Sequence, residues 1–257
     1  VEQVRYEVDG PVARITIDRP ERRNSMSFTV MHGLVEAFAL AKADESVRVV
    51  VLTGEGDKAF CAGADLSGIA DTSAAAIHDG RGMIADIFRL MWSLGKPVIA
   101  RVRGYALAGG FGLAMACDFV IAADDAQFGT PEIDVGLWPY MITVPLLRCI
   151  PPRKLLELMS TGRRVSAAEA EQIGFVTRVV AVDELDAAVD ELASTLAAKS
   201  PLILRWGRDS FYRVLDMRPD DALDYLQAML TVTSSTEDTA EGVAAFAEKR
   251  PPHWKGR

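Results

Sequence analysis

The residues equipped for chemistry in this chain are one carboxylate and two short runs of glycine and alanine. Glu132 lies between Pro131 and Ile133 in otherwise apolar surroundings, where loss of water raises a carboxyl pKa toward the range of a general acid or base. Ala62-Gly63-Ala64-Asp65 and Ala106 to Gly110 each follow an apolar run that reads as a buried strand. Small residues let the backbone approach a ligand closely. If the two strands are neighbours, one N–H from each run can meet a single acceptor oxygen, the arrangement that stabilises an enolate or another oxyanion. Each reading has a plainer counterpart. Gly109 and Gly110 also suit tight packing of a helix on a strand, and Glu132 also suits a loop carboxylate that caps a backbone N–H.

Other chemistries lack their signatures. Gly54-Glu-Gly56-Asp-Lys-Ala59 superficially fits a dinucleotide fingerprint, but Phe60-Cys-Ala-Gly63 and Asp65 prolong the loop where a helix should begin at once. Neither a phosphate loop nor a G-x-S-x-G nucleophile elbow occurs. His32, His78 and His253 stand far apart without Cys or His at ligand spacing, so neither a metal site nor a Ser-His constellation is expected. With 28 Lys and Arg against 36 Asp and Glu, the net charge of -8 gives no overall footprint for nucleic acid or an acidic membrane. Cys61, Cys117 and Cys149 are odd in number and lack C-x-x-C spacing; no leader-like run opens the sequence and no apolar run approaches a membrane span. A soluble, cytoplasmic chain with reduced thiols is the expectation.

The 257 residues suffice for one large α/β body with an appendage. Val4 to Val8 and Val12 to Ile17 flank Asp9-Gly10-Pro11 as a hairpin. Ser27 can cap a helix to about Lys42, and Val47 to Thr53 reads as a strand covered on both faces. Thr72 to Leu94 reads as a helix, Val98 to Val102 as a strand, and the run opened by Gly109-Gly110 as a buried helix. Phe119 to Ala122 and Gln127 to Gly129 read as strands, and Pro139 suits the first turn of a helix to about Cys149. Ser166 to Glu169 matches a capping box ended by Gly174, and Val176 to Val182 reads as a last strand. From Asp183 on everything reads as helical, in segments near 183 to 199, 201 to 215, 219 to 231 and 236 to 249. Paired strands before the helices do not fit a simple alternation of one strand and one helix.

Several of these stretches together resemble the crotonase superfamily, also called the enoyl-CoA hydratase/isomerase family. They are Arg19-Pro-Glu-Arg22-Arg-Asn-Ser-Met26, Lys58-Ala-Phe-Cys-Ala-Gly-Ala-Asp65-Leu66, and Gly104-Tyr-Ala-Leu-Ala-Gly-Gly110 with Ala114-Met-Ala-Cys-Asp118. Ala126-Gln-Phe-Gly-Thr-Pro-Glu132 and Phe246-Ala-Glu-Lys-Arg250 extend the likeness over nearly the whole chain. The resemblance implies an α/β fold, a crotonase-like spiral of stacked strand-strand-helix units over 1–200, and a helical C-terminal trimerisation region over 201–257. It implies homotrimers, commonly paired into homohexamers. It also implies an acyl-CoA thioester ligand and no metal or redox cofactor, coenzyme A being part of the substrate. By motif position Ala64 and Gly109 supply the oxyanion-hole N–H groups and Glu132 the acid/base. Arg22, Ala62, Asp65, Leu66, Ser67, Gly110, Pro131, Trp138 and Tyr140 are the matching substrate-binding positions, with the backbone near Ala62 and Ala64 receiving the adenine end.

The chain departs from the pattern in two places. Hydratases of the family usually carry a second glutamate in the helix opened by the oxyanion glycine, and here that position is Gly112. Hydration divides naturally between two carboxylates, whereas moving a double bond from C3 to C2 needs one base that takes a proton and returns it. Isomerisation is therefore slightly favoured. Hydration by Glu132 alone or with another group stays open, as does a catalytically weak acyl-CoA-binding scaffold. The second departure is Trp138-Pro-Tyr140-Met141, bulky where hydratases often have small residues; it narrows the expected acyl pocket, and Tyr140 brings a hydroxyl or only packing.

Overall fold

The computed structural model describes residues 2–65 and 74–257. Its body is wound from repeated units in which one strand enters each of two sheets before a helix returns. The hairpin β1 (Val4–Asp9) and β2 (Val12–Ile17) pairs in antiparallel register from Val4↔Ile17 to Asp9↔Val12, leaving Gly10-Pro11 as the turn. Helix α1 (Phe28–Ala43) follows, its first turn held by Ser27 Oγ accepting from Val30 N at 3.2 Å. Then β3 (Val49–Gly54) and β4 (Ala59–Cys61) precede α2 (Ala74–Trp92), and β5 (Val98–Val102) and β6 (Tyr105–Leu107) precede α3 (Gly109–Met115). A third pair, β7 (Phe119–Ala123) and β8 (Gln127–Gly129), precedes a 3-10 turn at Pro131–Val135 and then α4 (Thr143–Cys149). These paired strands are the ones that a simple strand-helix alternation cannot place.

Helix α5 (Pro152–Thr161), β9 (Val165–Ser166), α6 (Ala167–Ile173) and β10 (Arg178–Val180) complete the sheets. Their orders are β1-β2-β3-β5-β7-β10 and β4-β6-β8-β9. Helix α7 (Leu185–Ala197) closes the first sheet, with Leu185 and Val189 packed on Val49, Val51, Ile99 and Ile121. The other face of that sheet carries Val50, Leu52, Val98 and Ala100 in the main core, which explains the uninterrupted apolar character of β3.

The C-terminal region holds α8 (Pro201–Val214), α9 (Pro219–Ser234) and α10 (Glu237–Glu248). Helix α8 docks on the body through a buried cluster at Asp118. Arg208 Nε donates to both Asp118 carboxylate oxygens at 3.0 and 2.8 Å, and Tyr212 donates from its hydroxyl at 2.5 Å. The same carboxylate accepts Val98 N at 2.7 Å, while Arg208 also donates to the Trp92 and Met91 carbonyls. Every polar atom taken from water here finds a partner. Among the described residues no helix is long and apolar enough to cross a membrane.

Three expectations need correction. The helix expected from Pro139 begins only at Thr143: the helical bond from Thr143 N to the Pro139 carbonyl (3.1 Å) is not continued, since Pro145 has no N–H to give to Met141, and residues 139–142 form a turn that buries Ile142. Helix α5 is absent from the sequence reading, although Leu155, Leu158 and Met159 mark its buried face. Residues 249–257 are not helical: Pro251-Pro252 removes the N–H groups a helix needs, and Asp238 instead receives Lys255 N and Gly256 N.

Candidate active site

The site is assembled where β4 and β6, paired in parallel, deliver their following loops side by side. Gly63 and Gly109 are in near contact. A Cβ added at Gly63 would stand 2.6 Å from Ala108 Cβ and 3.5 Å from Gly109 N, and one at Gly109 would press on Met26 Cε and lie 3.9 Å from Ala64 N. At Gly63, with φ +99 and Ala108 Cβ in the way, only glycine allows this approach. Gly110 is as constrained, since its Cβ would come within 2.7 Å of the Cys61 carbonyl carbon. Gly109 opens α3, so its N–H has no partner within the helix. Among the described residues no acceptor takes the N–H of Ala64 or of Gly109.

The rim is braced from behind. Met26 donates to Gly63 O at 2.8 Å and Asp65 N donates to Met26 O at 3.0 Å, which holds Ala64 in a one-residue bridge with its N–H turned away from the pairing. Asn24, fully buried, donates to the Glu55 and Ala59 carbonyls at 2.9 and 2.6 Å and accepts from Arg19 N at 3.0 Å. Arg19 in turn is ion-paired with Asp65 at 3.0 Å. Ala108 adopts φ 51 and ψ -128, a conformation that costs a non-glycine residue roughly 1–3 kcal/mol. Its N–H bond to Gly129 O at 2.9 Å helps to hold it there. That strain aims the start of α3 at the rim.

Glu132 stands in the 3-10 turn, half-buried, and its Oε2 is buried and accepts no hydrogen bond among the described residues. Burial raises its carboxyl pKa above the ordinary 4.5, with its own backbone N–H opposing weakly. A carboxyl held this way exchanges a proton more readily near neutrality than an exposed one.

The remaining sequence-derived positions separate into groups. Arg22 is exposed at the end of the 3-10 turn Pro20–Arg22. Ala62 lines the second loop but spends its N–H on Arg23 O at 3.0 Å. Asp65 has its carboxylate on Arg19, and Pro131 begins the turn that carries Glu132. Trp138 packs half-buried against the core, whereas Tyr140 is 76% exposed. Leu66 and Ser67 lie outside the described residues. Sequence reasoning did not single out three residues: Asn24, Ala108 and Ile142. A buried amide in a left-handed turn and an alanine in a glycine conformation leave no signal in a single sequence. Ile142 leaves none either, because what it meets is Gly112, 30 residues earlier in the chain.

Two neighbouring backbone N–H groups without an acceptor among the described residues can hold an enolate oxygen, and a half-buried carboxylate such as Glu132 can move a proton. The chain matches the family described as enoyl-CoA hydratase/isomerase over residues 7–257 and belongs to that family, within the crotonase superfamily. It is 38% identical to a carnitinyl-CoA dehydratase from Salmonella typhi, over 97% of each chain. Its fold matches the enoyl-CoA hydratase of Bacillus anthracis at a TM-score of 0.95 and 33% identity over 100% of both chains. That of Mycobacterium smegmatis matches at 0.95 and 35% identity over 99% of each.

Proposed function

We propose that the chain binds an acyl-CoA thioester and moves a proton on its acyl group with Glu132 as the single acid/base, isomerisation being at least as efficient as hydration. The observation that carries this reading is a pair of neighbouring backbone N–H groups, Ala64 and Gly109, without an acceptor among the described residues, in a chain whose Glu132 keeps a buried carboxylate oxygen that is likewise unpartnered among them. The thioester oxygen lies between Ala64 N–H and Gly109 N–H, each worth about 3 kcal/mol once negative charge develops on that oxygen. Glu132 takes a C2 proton from a 3-enoyl thioester, the C2–H electrons enter a dienolate, and the proton returns at C4 to leave the double bond at C2. No water is consumed, and no metal or redox cofactor is drawn on. Arg22, the backbone near Ala62 and Gly110 lie toward the coenzyme A end, and Pro131 and Trp138 shape the acyl end.

A second reading, hydration or its reverse, is favoured by the relatives named carnitinyl-CoA dehydratase. Glu132 then activates water alone or with help from Tyr140. A panel of 2-enoyl-, 3-enoyl- and 3-hydroxyacyl-CoA esters separates the two. Turnover of 3-enoyl-CoA at least as fast as hydration is expected; efficient hydration with no 3-enoyl turnover overturns the isomerase preference, and binding without any turnover leaves a scaffold. Leu223, Leu230 and Phe246 are 67, 68 and 88% exposed on the C-terminal helices. So much apolar surface supports assembly into trimers or hexamers, and a monomer in sedimentation at micromolar concentration would overturn it.

A further inference from the structure

We infer that Ile142 is a specificity-determining residue: its side chain fills the place beside α3 where a larger residue at 112 would stand, and so keeps out a second acid/base group and the water such a group would steer. The inference rests on the isomerase reading above and adds the reason for it.

Gly112 follows Gly109 by one helical turn, so both present the same face of α3. A Cβ added at Gly112 would stand 2.6 Å from Ile142 Cβ and 3.4 Å from Ile142 Cα. These are atoms close to the backbone, not the tip of a flexible chain, so any larger residue at 112 and isoleucine at 142 exclude each other. Ile142 is 3% exposed and cannot swing aside easily. It is β-branched, its carbonyl accepts Leu146 N at 3.1 Å, and the turn before it is closed by Thr143 on the Pro139 carbonyl.

The chemistry of the plug matters as much as its volume. An ordered water needs two to four polar partners. Neither Gly112 nor Ile142 offers a polar side-chain atom, and among the described residues Glu132 Oε2 has no hydrogen-bond partner that would divert its proton. A proton taken from C2 is then kept for C4, and addition of water to C3 lacks a second group to steer it. The first departure from the family pattern, Gly112, is met by the residue that directly follows the second, Trp138 to Met141: a glycine makes room and Ile142 takes it.

The test compares Ile142→Val with Ile142→Thr, near-isosteres that differ by a methyl and a hydroxyl, in D2O with a 3-enoyl-CoA ester. Wild type and Ile142→Val should return mostly the substrate's own hydrogen to C4. Ile142→Thr, which gives water a partner, should raise the share of solvent deuterium in the product by about fivefold and the ratio of hydration to isomerisation by about tenfold. Gly112→Glu combined with Ile142→Gly restores room and a carboxylate together, and should raise that ratio by about a hundredfold. Unchanged deuterium share and unchanged ratio in Ile142→Thr, with wild-type isomerisation intact, overturn the inference and leave the isomerase reading standing. Wild type that hydrates 2-enoyl-CoA without turning over 3-enoyl-CoA overturns both, and that result is read from wild type alone.

Discussion

The loop rim at 61–65 and 107–110 and the segment at 131–142 meet around α3, yet they are held by different means. The rim is made of backbone. Gly63 and Gly110 sit where a Cβ would collide with a neighbouring chain segment, Gly109 sits where one would meet the end of Met26, and Ala108 accepts a strained conformation to keep the turn. The 131–142 segment is made of side chains: a half-buried Glu132, a buried Ile142, and between them Val135 and Leu137, 63 and 45% exposed. A rim fixed by packing density has one geometry and tolerates little change. A segment whose chemistry sits in single side chains can exchange one reaction for another without disturbing the rim.

Breaking the segment at its carboxylate should have the largest effect. Glu132→Gln keeps shape and removes the base, and kcat is expected to fall by about 10² to 10⁴ with little change in substrate binding, measured by steady-state kinetics and calorimetry. An unaffected variant would remove Glu132 from the chemistry. The same substitution should stabilise the protein. Burial raises the folded pKa of Glu132 above 4.5, so its contribution to stability is favourable below the unfolded pKa and is lost as pH rises through the folded one. The Tm of Glu132→Gln should exceed that of wild type at neutral pH, and the difference should vanish in more acidic solution.

Breaking the rim should cost somewhat less. Gly109→Pro deletes the N–H at a helix position that tolerates proline and should lower the rate about a hundredfold, near 3 kcal/mol of transition-state stabilisation. Gly109→Ala keeps the N–H and meets only the mobile end of Met26, so it should retain most of the activity; equal losses in the two variants would assign the effect to crowding. Tyr140→Phe should have the smallest effect. An exposed hydroxyl that does no chemistry changes isomerisation by less than about twofold, the scale of ~0.5 kcal/mol typical of surface substitutions. A selective loss of hydration in this variant would instead give Tyr140 a part in activating water.

The rim was the more legible region. Runs such as Ala62-Gly63-Ala64 and Gly109-Gly110 announce close backbone approach because glycine is used where nothing else fits, and α3 reads as buried because its composition is uniform. Glu132 was legible by its apolar neighbours, and the hairpin, α1 and α6 by their turn and capping residues. Ile142 was not, because its role depends on a contact across 30 residues of chain that no local pattern records. The same holds for Asn24, whose amide joins two loops that sequence reasoning treats separately. The start of α4 was misplaced because proline suits both a first helical turn and the tight turn that precedes Thr143.

The Asp118 cluster bears on the order in which the protein can be made. Its carboxylate lies at the C-terminal end of the α3 region, but Arg208 and Tyr212 come 90 and 94 residues later. While the chain emerges from a ribosome, the α/β body is complete before the cation that neutralises its buried anion exists. Leaving such a charge unpaired costs about 3–5 kcal/mol, a large part of a typical domain's total stability. A chain cut after Ser200, which leaves that carboxylate without Arg208 and Tyr212, should therefore populate a loosened α3 and a poorly formed rim. The docking of α8 is thus expected to tighten the very region in which α3 begins, which near-ultraviolet circular dichroism of the shortened chain would check.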